Sequence, residues 1–171
     1  MVSVFLYIKR DEMKKLNLIT LLLFLVTSIA SADCIMVKEL KVEFKNASTA
    51  FMDPKKEEKK IEDFKNFINK TDLYVLIEGH TNKLANARYN YELSTKRAVR
   101  VMNELVKKGL SKSHIRAMGF GESSPLYSNE TPEGLEKNRR VVAEVFNTAE
   151  ELDQYIQDAK ERIKDIKFKE Q

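Results

Sequence analysis

Short apolar runs recur along the chain, separated by longer segments with a different spacing. Leu40, Val42 and Phe44 alternate with charged residues, which predicts a strand with one buried face. The segment 73–77 is apolar throughout, a pattern typical of a strand covered on both faces. Four strands are predicted in all, over residues 37–44, 73–77, 115–120 and 141–146.

Between these strands the apolar residues return every three or four positions, as on one face of a helix. Ile61, Phe64 and Ile68 do so among lysines and glutamates, after an Asp53–Pro54 pair that favours a helix start. This first helix is expected to end near residue 70.

Two further helices complete the pattern. One starts within residues 86–90 and stops before Gly109, and a short one follows Thr131 and Pro132. The order βαβαβαβ predicts an α/β (α+β) fold, with helices packed on a mixed four-stranded sheet.

A last amphipathic segment follows residue 147. Its apolar stripe is spaced by three and four positions and consists of Leu152, Ile156, Ala159, Ile163 and Ile166. This extra C-terminal helix either docks back onto the domain or contacts an envelope protein partner, although it is short for an independent coiled coil.

The composition supports one globular domain with short extensions. The chain has 171 residues, 43% of them hydrophobic, and a formal net charge of +4 from 30 basic and 26 acidic residues. This balance argues against nucleic-acid binding. The two histidines, His80 and His114, have no metal-ligand spacing, and no nucleotide or hydrolase motif occurs. We therefore expect no metal, no cofactor and no enzymatic activity.

The N-terminal residues have the layout of a secretory signal peptide. Lys14 and Lys15 precede an apolar run over 18–26, which ends in small residues at 30–32. The run is shorter than the roughly 20 residues that span a bilayer, so a retained anchor is the weaker alternative. We expect a signal peptide at 1–32, with Met13 as an alternative start, and a mature N-terminal segment at 33–39.

Cys34, the one cysteine, lies just after this predicted cleavage point. It is either a lipidation site or a free thiol, and the preceding Asp33 favours the thiol because lipoprotein processing requires a small residue there.

Four blocks in the rest of the chain occur in a recognisable order. They are Gly-His-Thr-Asn at 79–82, Tyr-Asn with Leu-Ser and Arg-Ala at 89–98, Gly-x-Gly with Pro at 119–125, and Asn-Arg-Arg-Val at 138–141. Together they resemble the peptidoglycan-binding signature of OmpA-like domains. The resemblance covers residues 40–147 and leaves 148–171 as the additional helix. It implies a non-enzymatic domain in the periplasm, associated with the cell wall or the outer membrane.

The resemblance also implies a ligand, the diaminopimelate of the peptidoglycan stem peptide, which carries carboxylates and an ammonium group. Arg97 matches the arginine that binds a carboxylate, a role that suits its planar fork of donors. Arg139 matches a second arginine that holds the stem peptide. Arg140 is expected at the surface or in a salt bridge. His80 is expected to be a structural residue at a strand end rather than a catalytic one.

Further site residues are expected around the first block. Thr81 and the first amides of the next helix are candidates for a second carboxylate, because a helix N-terminus favours anions. Asn90 either contacts the ligand or caps the helix.

Three positions depart from the family pattern. Asn82 replaces the aspartate that would pair with the ligand's ammonium, Ala85 replaces a glycine, and Leu135 replaces an arginine found in many members. Ala85 either strains a left-handed turn or is harmless in a first helical turn.

The resemblance therefore predicts peptidoglycan binding that tethers the outer membrane or an envelope complex to the cell wall. The alternative is an OmpA-like scaffold with impaired wall binding that acts through its C-terminal helix.

Overall fold

The computed structural model describes residues 39–164. The strands are β1 (Lys41–Val42), β2 (Tyr74–His80), β3 (Ile115–Gly121) and β4 (Val141–Phe146). The helices are α1 (Pro54–Thr71), α2 (Ala87–Lys107), α3 (Pro132–Asn138) and α4 (Ala149–Ile163). The predicted signal peptide, Cys34 and Ile166 lie outside the described residues.

The four strands form one mixed sheet in the order β1-β4-β2-β3. β2 and β3 run parallel, while β4 is antiparallel to both β1 and β2. The predicted α/β architecture on a mixed four-stranded sheet is confirmed.

The first strand is shorter than the predicted 37–44. Only Lys41–Val42 pairs with β4, because the chain then turns back on itself and Phe44 bridges Phe51 instead. Lys45 N donates to Ala50 O across this turn at 2.9 Å. The resulting loop, residues 45–50, lies over the N-terminal half of α2 and becomes part of the candidate site.

The helices cover both faces of the sheet. α1 and α2 bury the main core, which includes Phe64, Ile77 and Val101. On the other face α4 places Leu152, Ala159 and Ile163 against Leu76, Met118 and Phe120. Docking back onto the domain is therefore the arrangement that α4 adopts. Among residues 39–164 no helix is long and apolar enough to cross a membrane.

Local sequence explains where the helices begin and end. The Asp53 carboxylate accepts from Lys56 N at the start of α1, and the Thr131 hydroxyl accepts from Gly134 N at the start of α3. After α2, Gly109 adopts a φ of 100°, a conformation open mainly to glycine. These predicted signals agree with the structure to within a few residues.

Candidate functional site

A cavity of about 480 Å³ opens beyond the C-terminal end of β2, bounded by the 45–50 loop, the first turns of α2 and the end of α3. The five residues expected from the sequence all line it: Thr81, Asn82, Asn90, Arg97 and Arg139. They come from the β2–α2 loop, from α2 and from the residue after α3, so only the tertiary fold brings them together.

Close packing between α2 and the strand ends sets the position of the cavity. A Cβ on Gly79 would lie 2.0 Å from Ser94 O, so only glycine allows α2 to approach β2 this closely. The Ser94 hydroxyl accepts from Gly121 N at 2.9 Å and donates to Tyr91 O. The glycines and the serine of the signature are thus packing residues that place α2, and with it Arg97, against the sheet.

Arg97 is held rigidly in the wall of the cavity. The residue is 1% exposed, Nε donates to Ser48 O at 2.9 Å, and Nη2 donates to Lys45 O at 3.0 Å. The guanidinium also lies over the Phe44 ring, 5.2 Å from its centroid. These contacts fix the Nε–Nη2 side of the guanidinium, whereas Nη1 makes no hydrogen bond to residues 39–164.

Arg97 stays protonated although it is buried. Burial and the nearby Arg139 cation lower the pKa of Arg97 to about 10, while Tyr89 acts in the opposite direction. The side chain therefore remains cationic at neutral pH. Among residues 39–164 its partners are two backbone carbonyls and the Phe44 ring rather than a carboxylate, so an anion in the cavity would add a favourable charge interaction.

Asn82 joins the β2–α2 loop to α3. Its Nδ2 donates to Leu135 O at 3.1 Å, and its Oδ1 accepts from Leu84 N at 3.2 Å. The first of these bonds requires an amide, because a carboxylate has no proton to donate. Leu135 thus contributes a backbone carbonyl at this site.

Asn90 fastens the same loop from the side of α2. Its Nδ2 donates to Asn82 O at 3.0 Å and to Ala85 O at 2.9 Å, and it also contacts Glu122. The side chain therefore fixes the loop rather than capping the helix. Ala85 is not among the positive-φ residues of the described chain, so its replacement of glycine causes no left-handed strain.

Two of the amides at the start of α2, which the sequence suggested as an anion site, bond to a side chain of the protein. Asn86 is the N-cap, and its Oδ1 accepts from Arg88 N at 2.9 Å and from Tyr89 N at 3.2 Å. These two amides are therefore occupied by the protein itself. Thr81 remains a candidate, because its buried hydroxyl has no hydrogen-bond partner among residues 39–164.

Arg139 is half-buried at the end of α3, and its Nη1 donates to Leu135 O at 3.3 Å. Its neighbour Arg140 was expected at the surface or in a salt bridge. It is buried, so the surface alternative is wrong, and its Nη2 donates to Ser124 O at 3.1 Å. Its backbone carbonyl accepts from His80 N at the sheet end.

The cavity has a cationic lining. Besides Arg97 and Arg139, its described lining contains only neutral residues. Glu78, which directly precedes the first signature block, lies on the α4-covered face of the sheet, where Oε2 contacts His80 Nε2 at 3.3 Å. His80 also stacks on Phe120, in agreement with its predicted structural role.

The sequence interpretation missed several residues of the site. Tyr89, Leu93, Asn46 and Ala47 also line the cavity, and Ala47 adopts a φ of 45°. Tyr89 lies within the signature and could have been found from its position. The loop at 45–50 carries no motif, so only the turn after β1 reveals it.

The first asparagine of the Asn-Arg-Arg-Val block has a structural role that was also missed. Asn138 is fully buried, and its Oδ1 accepts from Leu126 N and Tyr127 N, both at 3.1 Å. It thereby orders the loop that leads into α3, whose end carries Arg139.

Comparisons with known proteins show the family and the fold. Residues 44–139, more than half of the chain, match the model of the OmpA family. The chain is 46% identical to outer membrane porin F of Pseudomonas fluorescens over 71 residues, which are 42% of this chain and 22% of that protein. It is 43% identical to the peptidoglycan-binding protein ArfA of Mycobacterium bovis over 70 residues, 41% of this chain and 22% of that protein.

The matched stretch thus spans about a fifth of the length of these relatives. The crystal structure of the peptidoglycan-associated lipoprotein from Burkholderia pseudomallei has the same fold, with a TM-score of 0.58 at 21% identity over 62% of this chain and 89% of that one. The family match, the shared fold and the four signature blocks lead to one conclusion: the chain belongs to the OmpA family.

Proposed function

We propose that this protein binds peptidoglycan non-covalently in the periplasm and tethers the outer membrane or an envelope complex to the cell wall. The observation that carries the proposal is the convergence of five separate side chains on one cavity, around a buried and rigidly held Arg97. Family membership supports it, as does the similarity to a relative named as peptidoglycan-binding.

The ligand group is the diaminopimelate of the stem peptide. Arg97 binds a carboxylate through Nη1, and Arg139 adds a second positive charge to the same cavity. The unpartnered Thr81 hydroxyl donates to the same ligand. Asn82 and Asn90 hold the β2–α2 loop in place, and the amide of Asn82 offers only neutral contacts.

Within this proposal each segment of the chain has the role expected from the sequence. Residues 40–147 form the wall-binding domain, 148–171 an additional helix, 1–32 an export signal and 33–39 the mature N-terminal segment. Export would place the domain where it meets the cell wall.

The alternative, a scaffold that acts through the C-terminal helix, receives less support. Leu152, Ala159 and Ile163 are buried against the sheet and are not available to a partner. The absence of charge on Asn82 favours altered binding, but it does not point to a partner protein.

A pull-down with purified sacculi tests the proposal. Arg97→Ala is expected to reduce retention by at least tenfold, since it removes a charged hydrogen bond worth roughly 1.5–3 kcal/mol. Arg100→Ala is the matched control, because Arg100 lies one turn along α2 and packs on Phe51 outside the cavity.

A second pair of variants controls for unfolding, because Arg97 is buried and its replacement removes structural hydrogen bonds. Arg139 is only half-buried, so Arg139→Ala should weaken retention without unfolding the domain. Arg116→Ala, at an exposed position of the otherwise buried β3, should leave retention unchanged. Retention unaffected by both Arg97→Ala and Arg139→Ala would contradict the proposal.

A further inference from the structure

The charge of the cavity decides which form of a ligand it can hold. Two guanidinium groups line it, and the other described lining residues are neutral. A bound carboxylate is favoured by both arginines, whereas a positive group in the same space is repelled by both. A ligand end with one net negative charge therefore fits better than a zwitterion.

Among residues 39–164, seven acids lie near the cavity without lining it, and three of them, Glu43, Glu133 and Glu136, line the neighbouring pocket that shares Arg139. The other four have partners of their own. Glu122 is held against the Asn90 amide, and Glu92 pairs with Arg88 at 3.5 Å on the surface of α2. Glu130 pairs with Lys83, and Glu78 lies on the α4-covered face. None of these four carboxylates lines the cavity.

Asn82 cannot replace the missing charge. Both ends of its amide are already bonded, Nδ2 to Leu135 O and Oδ1 to Leu84 N. Oδ1 has a second lone pair, which suits a neutral N–H donor but provides no charge to balance an ammonium group.

We infer that the cavity selects a carboxylate whose neighbouring nitrogen is acylated, and therefore prefers cross-linked stem peptides to uncross-linked ones. At the far end of diaminopimelate, a carboxylate and an ammonium share one carbon. Cross-linking converts that nitrogen to an amide, which removes the positive charge and keeps one N–H donor. This inference rests on the proposed function and specifies the form of its ligand.

Isothermal titration of the purified protein with three synthetic stem tripeptides tests the selection. The first has diaminopimelate with its far amine free, the second has the same amine acetylated, and the third has 2-aminopimelate, which keeps the near amine and lacks the far one. We expect the acetylated peptide to bind on the order of tenfold more tightly than the free amine. The peptide without the amine should lie between them, because it lacks both the repelled charge and the N–H donor.

Binding of the three peptides distinguishes failure of the proposed selection from failure of the proposed function. Equal or tighter binding of the free amine would overturn the selection while leaving peptidoglycan binding intact. If none of the three binds and sacculi are not retained, the proposed function itself fails. Because this comparison uses the unaltered protein, it does not depend on the folding of any variant.

Asn82→Asp supplies the complementary change in the protein. A carboxylate at this position should reverse the order by favouring the free amine over the acetylated one, measured on protein that a thermal melt shows to be folded. An unchanged order in folded Asn82→Asp would refute the role of charge at this position.

Discussion

Asn82→Asp exchanges one NH₂ group for an oxygen, and the structure predicts that it destabilises the domain. The Nδ2–Leu135 O hydrogen bond of 3.1 Å is lost, and two oxygens face each other in its place. Asn82 is only 7% exposed, so water cannot readily compensate.

The size of the effect follows from these contacts. The lost hydrogen bond costs about 1 kcal/mol and the facing oxygens add a similar amount. Leu135 O still accepts from Arg139, which limits the loss, and the nearby arginines offset up to about 1 kcal/mol. A net cost of about 1–2 kcal/mol lowers Tm by roughly 3–6 °C in a chain of this size.

The pH dependence has a definite sign. The ionised carboxylate faces the Leu135 carbonyl, whereas the protonated acid is able to donate to it, so protonation should relieve part of the cost. The variant should therefore approach the parent in stability below about pH 4. The deficit should appear as the pH rises through the pKa of this carboxyl group.

Thermal melts from pH 3 to pH 8 provide the assay, with Asn86→Asp as the matched control. Asn86 lies four residues away, but its oxygen accepts two amides at a helix N-terminus, where a carboxylate is favourable. Asn86→Asp should therefore be neutral or stabilising at pH 7. If Asn82→Asp were at least as stable as the parent at pH 7, the assignment of Nδ2 to Leu135 O would be wrong.

Three further predictions concern the α4 side of the sheet. Leu152→Ala removes a side chain that is 1% exposed and should lower the free energy of unfolding, measured in urea, by about 2–4 kcal/mol. Leu126→Ala, at a residue 70% exposed, should lower it by less than about 0.5 kcal/mol. Equal losses would mean that α4 does not stabilise the domain. Burial lowers the pKa of His80, so the folded state favours the neutral imidazole and the free energy of unfolding should fall as the pH drops from 7 to 5. A fall that is steeper in His80→Gln than in the parent would contradict this. Burial and the Glu78 charge raise the pKa of Tyr155 to about 12, so the free energy of unfolding should fall as the pH rises from about 10 to 12. The fall should be smaller in Tyr155→Phe. If ultraviolet absorbance showed all six tyrosines ionising together near pH 10, the raised pKa of Tyr155 would be excluded.

The elements of the fold were predictable because each carries a local signal. The Asp53–Pro54 and Thr131–Pro132 pairs mark helix starts whose side chains make the expected caps. The strand at 141–146 was predicted at its observed bounds. β1 was predicted too long because alternation persists into a segment that leaves the sheet.

The site could be predicted only in part. The signature identified Arg97, Asn82, Thr81, Asn90 and Arg139, and the structure places them on one cavity. Their individual contacts depend on neighbours distant in sequence. The Asn82 amide bonds Leu135, 53 positions away, and the Arg97 guanidinium bonds Ser48, 49 positions away.

The sequence by itself determined the family resemblance, the order of the elements and the residue types at the site, since these follow from local spacing and composition. The tertiary structure alone decided that α4 buries Leu152, Ala159 and Ile163, that Asn86 bonds two amides in the first turn of α2, and that no described acid lines the cavity. Those outcomes depend on which surfaces and charges meet in space. A hydrophobic period or a motif indicates that a residue is buried or belongs to a site. Which groups that residue contacts depends on how distant segments pack together.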